Sequence, residues 1–155
     1  MQVISRQTAA EDLELAPPAT SLRRVTILGV GRLLDHEDVV ANERGERNFN
    51  EEARVNPLDR EADFEVERKC VGGEVAFEVD GRVTYHDDHS VTVEVNSRLY
   101  EGTGCETDDL EDSDSFEVNV GEGEIWVGNL SLLNTGAGGG DRADYELEIG
   151  NLQAP

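Results

Sequence analysis

Lysine is nearly missing from this sequence: Lys69 is the only one. Lysine and arginine together number 13 against 35 aspartates and glutamates, which gives a formal charge of −22. Proteins hold nucleic-acid phosphates or anionic lipid by releasing counterions at a basic patch. No such patch can be assembled here, so nucleic acid and anionic membrane surfaces are excluded as partners. Long apolar runs are missing as well, and none approaches the roughly 18 residues that cross a bilayer. Met1 to Ala16 contains no apolar stretch of signal-peptide length. The chain therefore reads as carrying neither a signal peptide nor a transmembrane segment, and its location stays open.

Catalytic signatures are absent too. The sequence has no G-x-S-x-G, no P-loop, no H-E-x-x-H and no cysteine with a nearby histidine. Paired carboxylates for glycoside chemistry need a defined separation across a cleft, and among 35 acids no pair stands out. The glycines of Gly136 to Gly140 open no helix, and the surrounding charge would repel a phosphate. The chain reads as non-enzymatic.

Only two cysteines occur, Cys70 and Cys105, with no C-x-x-C and no histidine at metal spacing, which argues against zinc. Spacing alone leaves a bridge and two separate thiols equally open. Aromatics make up 5% of the chain, so a core must rest on Val, Leu, Ile and Ala. The single tryptophan, Trp126, lies between Ile125 and Val127 and reads as a core residue. An exposed Trp126 would instead mark a carbohydrate platform or a protein interface.

What the sequence does contain is alternation. Phe64 and Val66, then Val75, Phe77 and Val79, then Val83 and Tyr85, then Val91, Val93, Val95 and Leu99 alternate with polar and acidic residues. A period of two with carboxylates on the opposite face marks half-buried antiparallel strands. Further strands are expected at Phe116 to Val120, Glu124 to Leu133 and Ala143 to Ile149. Leu22 to Leu34 reads as one or two β segments bent at Gly29 and Gly31. Asp80-Gly81 reads as a hairpin turn. A three-residue loop of Val79, Asp80 and Gly81, with Gly81 left-handed, would pair Phe77 with Val83 and Val75 with Tyr85.

These elements imply an all-β fold: an antiparallel β-sandwich of seven or eight strands with Greek-key connections. A barrel is the alternative. At 155 residues the chain has the length of one domain. Residues 1–21 read as an extended or disordered arm, with Pro17-Pro18 disfavouring helix. Residues 22–155 form the domain, interrupted by a long charged loop at 42–61 in which Phe49, Val55 and Leu58 are the anchors.

Two stretches could hold a metal. The densest acidic run is Glu106 to Asp114, placed in a loop between strands. Calcium takes six to eight oxygen ligands and is served by loop carboxylates, so Asp108, Asp109, Asp112 and Asp114 are the candidate ligands, helped by Glu101 or by Asp87-Asp88. The spacing is not that of an EF-hand, and in so acidic a chain a solvated loop is the plainer reading. His86-Asp87-Asp88-His89 has two histidines three apart, but Asp-Asp-His-Ser is ordinary turn chemistry.

The acid excess also fits a salt-adapted proteome, and arginine in place of lysine fits a GC-rich genome. The leading functional reading is a structural or protein-interaction sandwich acting within a larger assembly, as a surface or particle component, through a protein partner or self-assembly. Acidic residues along its strand edges would guard against unwanted pairing. The alternative is a calcium-dependent ligand-binding module, for example for glycans.

Overall fold

The structure is a computed structural model and describes residues 21–35, 43–72, 74–102, 104–134 and 140–154. The expected arm at 1–21 falls outside them except for Ser21, as does most of the glycine loop at 136–141. Among the described residues there are ten antiparallel strands: β1 (Arg23–Asp35), β2 (Glu43–Glu46), β3 (Phe49–Val55), β4 (Glu61–Glu65), β5 (Lys69–Val71), β6 (Val75–Tyr85), β7 (Val91–Glu101), β8 (Leu110–Val120), β9 (Ile125–Leu133) and β10 (Arg142–Gln153).

The antiparallel sandwich expected from the alternation is the fold. One sheet runs β2-β1-β10-β9, with β3 also on β1; the other runs β4-β6-β7-β8, with β5 also on β6. β2 and β3 lie end to end along β1, and β4 and β5 along β6, so each sheet is four strands wide. The Greek-key connections expected with the sandwich are replaced by a meander. Consecutive strands sit side by side or face each other across an edge, and the first long strand pairs with the last. Odd-numbered side chains of β1, β6 and β7 and alternate side chains of β9 and β10 meet in one core. That core is largely aliphatic, as the few aromatics require.

Glycines take inward positions in the long strands of both sheets. β1 is one continuous strand through Gly29 and Gly31, the first of the two arrangements expected for this stretch. Gly29 lies opposite Phe49 and Gly31 opposite Tyr145, and each aromatic ring covers the vacant side-chain position. The hairpin turn expected at Asp80-Gly81 is corrected, because β6 is continuous and Gly81 is not left-handed. Gly81 occupies an inward position opposite Phe64, whose ring fills the space. Val75, Phe77, Val79, Val83 and Tyr85 all keep one parity through position 81, so their common burial needs no hairpin. Tyr145 completes the pattern, stacking on Phe77 at 4.7 Å and meeting Phe49 at 5.5 Å between ring centroids.

Another correction concerns residues 42–61, which are mostly sheet rather than loop. An edge strand buries only one face, so Phe49, Ala53 and Val55 suffice to dock β3 while Asn50, Glu52 and Arg54 face solvent. Leu58, expected to anchor the segment, is 65% exposed. It sits in a turn closed by the Asn56 side chain, which accepts from the Leu58 and Asp59 amides.

Cys70 and Cys105 form a disulfide. It fastens β5 to the loop between β7 and β8. Arg68 adds to that fastening by donating to the Cys105 and Thr107 carbonyls, each at 2.7 Å.

Candidate functional site: the open seam of the sandwich

β8 ends one sheet and β9 ends the other, and a short turn joins them. Gly123 in that turn has φ of +76°, a conformation glycine adopts freely. Its amide donates to the Asn151 carbonyl. A buried lattice holds this corner: Arg23, 2% exposed, donates to the Asn151 side chain and carbonyl, and Asn151 donates to the His89 and Val120 carbonyls. β8 and β9 therefore leave a rigid corner together, yet they belong to different sheets and share no ladder.

Along the seam Phe116 of β8 meets Trp126 of β9 at 5.6 Å between ring centroids. Trp126 is half-buried and folds over Gly128, so it serves the rim of the core and is not a flat exposed platform.

The two edges differ in chemistry. β8 carries Glu111, Asp112, Asp114 and Glu117. β9 has no charged residue in its nine positions, and the uncharged run continues to Gly140. β2, β3, β4 and β5, which flank the other sheet margins, each carry charge. Of the six large hydrophobic residues exposed among the described residues, three belong to β9: Ile125 at 57%, Val127 at 56% and Leu133 at 39%.

The free edge of β9 can be assigned residue by residue. Its even-numbered side belongs to β10, because the Asn134 amide donates to Asp141 and the Asn151 amide to the Glu124 carbonyl. Along a strand successive residues point their N–H and C=O groups to opposite sides. Ile125, Val127, Asn129, Ser131 and Leu133 therefore present theirs to the open seam. The Leu133 amide confirms the parity by donating outward to Asp112 Oδ2 at 2.9 Å.

The proposed calcium ligands are spread along this region. Asp108 and Asp109 lie in the exposed loop before β8, while Asp112 and Asp114 are on the strand itself. The acidic run expected as a loop is thus half sheet. Asp112 accepts from the Leu133 and Ser113 amides, and Asp114 accepts from the Ser115 amide. Among the described residues no group of three or more His, Cys, Asp or Glu side chains is placed to hold a metal.

His86 to His89 forms a turn. His86 meets the Thr92 hydroxyl and His89 meets Glu122, so the two rings serve different partners. Asp88 accepts from both the amide and the hydroxyl of Ser90, with the hydroxyl bond first in holding its carboxyl below the usual range.

A second carboxylate group lies at the other end of the sandwich. Asp35 ends β1, Glu101 ends β7 and Asp141 precedes β10, with Asp35 2% and Asp141 1% exposed. Asn134 donates to Glu101 at 2.6 Å and to Asp141 at 3.2 Å. A hydrogen bond with Asp141, burial, and the charges of Asp141, Glu111 and Asp35 push the Glu101 carboxyl up to about 7. Like charges brought together out of water share protons in this way. Glu101 can therefore hold a proton near neutral pH. Sequence reading named Glu101 only as an auxiliary ligand and missed the other two, which come together from remote parts of the chain.

No protein-family model matches this chain, and no curated protein matches it in sequence.

Proposed function

We propose that this protein is a non-enzymatic structural or protein-interaction β-sandwich that works within a larger assembly, as a surface or particle component. The observation that carries this reading is the edge of β9. Among the described residues no strand pairs with its outer side, where the Leu133 amide turns to the Asp112 side chain, and it carries three exposed large apolar side chains and no charge. Edge strands that stay solitary are guarded by charge, proline or bulges. β8 has such a guard in its carboxylates, and β9 has none. Adding a strand to an open edge is a common mode of protein recognition. The disulfide supports the same reading, since such bonds persist on surfaces and in oxidising compartments.

A photoreactive residue in place of Val127 tests this in cells that produce the protein, with the same residue in place of Glu65, on the far seam, as control. A dominant protein adduct at position 127, mapped by mass spectrometry, is the expected result. Adduct formation at 127 no greater than at 65 would remove the basis for the reading.

A further inference from the structure

We infer that β9 pairs with β9 of a second copy of this chain, antiparallel about a two-fold axis at Asn129. This rests on the assembly reading above and names its partner. Three requirements select the occupant.

The first is charge. Two chains of −22 repel each other over almost any shared surface. Pairing through β3, β4 or β8 would also set carboxylates near carboxylates. β9 is the edge whose own residues set no carboxylate against another.

The second is hydrogen-bond parity. In an antiparallel pair, residues that exchange both main-chain bonds must both point at the shared edge. The seam-facing residues of β9 are the odd-numbered ones, by the Asn134, Asn151 and Leu133 hydrogen bonds. A two-fold at Asn129 sets Asn129 against itself, Val127 against Ser131 and Ile125 against Leu133 of the second copy. Every pair is odd with odd.

The third is side-chain match. Ile125 and Leu133 are both exposed in the single chain. In this register they become direct cross-strand neighbours on the outer face, where apolar pairs stabilise a sheet. On the inner face Trp126 lies opposite Leu132, and Gly128 opposite Leu130. Asp112 now caps the Leu133 amide. It releases that amide to the Ile125 carbonyl of the second copy, or the outermost bond of each end stays unmade.

The same geometry brings the acidic β8 edges of the two copies close together. The dimer is therefore weak in dilute buffer and tightens with salt, which screens repulsion between exposed charges.

Sedimentation equilibrium of the full chain, in dilute buffer and in about 1 M sodium chloride where the Debye length is about 3 Å, reads the association. Amide exchange by NMR in the same samples reads the register. The expected result is a dimer in high salt, with the amides of Val127, Asn129 and Ser131 protected only on association and those of Leu130 and Leu132 protected throughout. Asn129→Pro removes a donor that the single chain does not use in its ladder, and Val127→Lys adds charge at an exposed position. Each is expected to leave the melting temperature of the monomer unchanged and to weaken the dimer by roughly tenfold or more. A protein that stays monomeric at high concentration in both salts overturns the proposal. So does a dimer in which the odd-numbered amides still exchange, or one that both variants form as readily as the parent. Monomeric behaviour together with a crosslink from position 127 to a different protein would overturn self-pairing and leave the assembly reading intact.

Discussion

Glu101 shows how one carboxylate acquires a property that its neighbours in sequence do not imply. Its ordinary value is 4.5, and the hydrogen bond with Asp141, burial and nearby carboxylates lift it to about 7. A raised carboxyl in the folded state binds its proton more tightly than in the unfolded chain. Its contribution is therefore complete below about 4.5 and is lost as pH rises through about 7. Glu111 shifts the same way, through burial first and then Asp109. Glu78 has the opposite sense. Burial pushes it up, but hydrogen bonds from Arg68, Arg98 and Tyr100 outweigh that, so its contribution is lost only as pH falls below its ordinary range. Thermal melts should thus show stability declining between pH 4.5 and 7. Glu101→Gln, which keeps an uncharged side chain of the same shape, should flatten that decline. An unchanged slope in the variant would remove Glu101 as its source.

At the scale of the strand, the glycines decide what alternation cannot. Val79, Asp80 and Gly81 look like a turn because Asp-Gly is the commonest hairpin signal. The turn does not form because Phe64, on a strand that precedes β6, brings its ring to the vacant inward site, 2.6 Å from where a Cβ would stand. A side chain at 81 would also collide with the Glu94 carbonyl of β7. Gly81→Ala is therefore expected to destabilise the protein by roughly 1–3 kcal/mol, in line with overpacked cores, measured by urea unfolding. A neutral effect would contradict the close packing of the Phe64 ring and the Glu94 carbonyl around position 81. The same reasoning covers Gly29 under Phe49 and Gly31 under Tyr145. In each case a glycine in one strand and an aromatic in its neighbour make a single packing unit.

For the whole molecule the dominant quantity is the charge of −22. Among the described residues most acids lie on the outer faces of both sheets, in the loops and on the β8 edge, where they repel one another through solvent, while Asp35 and Asp141 are buried. Screening relieves this, so the melting temperature should rise from dilute buffer to molar salt. Calcium at matched ionic strength should add nothing further, since Asp108, Asp109, Asp112 and Asp114 do not converge. A rise with calcium beyond matched salt, following mass action, would restore a specific ion to the acidic run. Parallel melts in chelator, in calcium and in salt make the comparison.

The sequence by itself was enough to determine the all-β class, the strands at Val91 to Leu99 and Ala143 to Ile149, and the inward face of most others. Period-two burial is a local property, and each residue's side of the sheet follows from its parity. The acidic regime and the lack of a basic patch were equally local facts. Tertiary structure decided everything that depends on who lies next to whom. It made a strand of Val79-Asp80-Gly81, a sheet margin of residues 43–55 and a bridge of Cys70 and Cys105, and it brought Asp35 and Asp141 near Glu101, whose carboxyl they raise. The long uncharged run from Ile125 was legible from the start, but its meaning was not. An uncharged strand in the middle of a sheet is ordinary core. Only its place at the sheet margin turns its odd-numbered main-chain groups away from β10 and exposes Ile125, Val127 and Leu133, which is the basis of the proposed pairing.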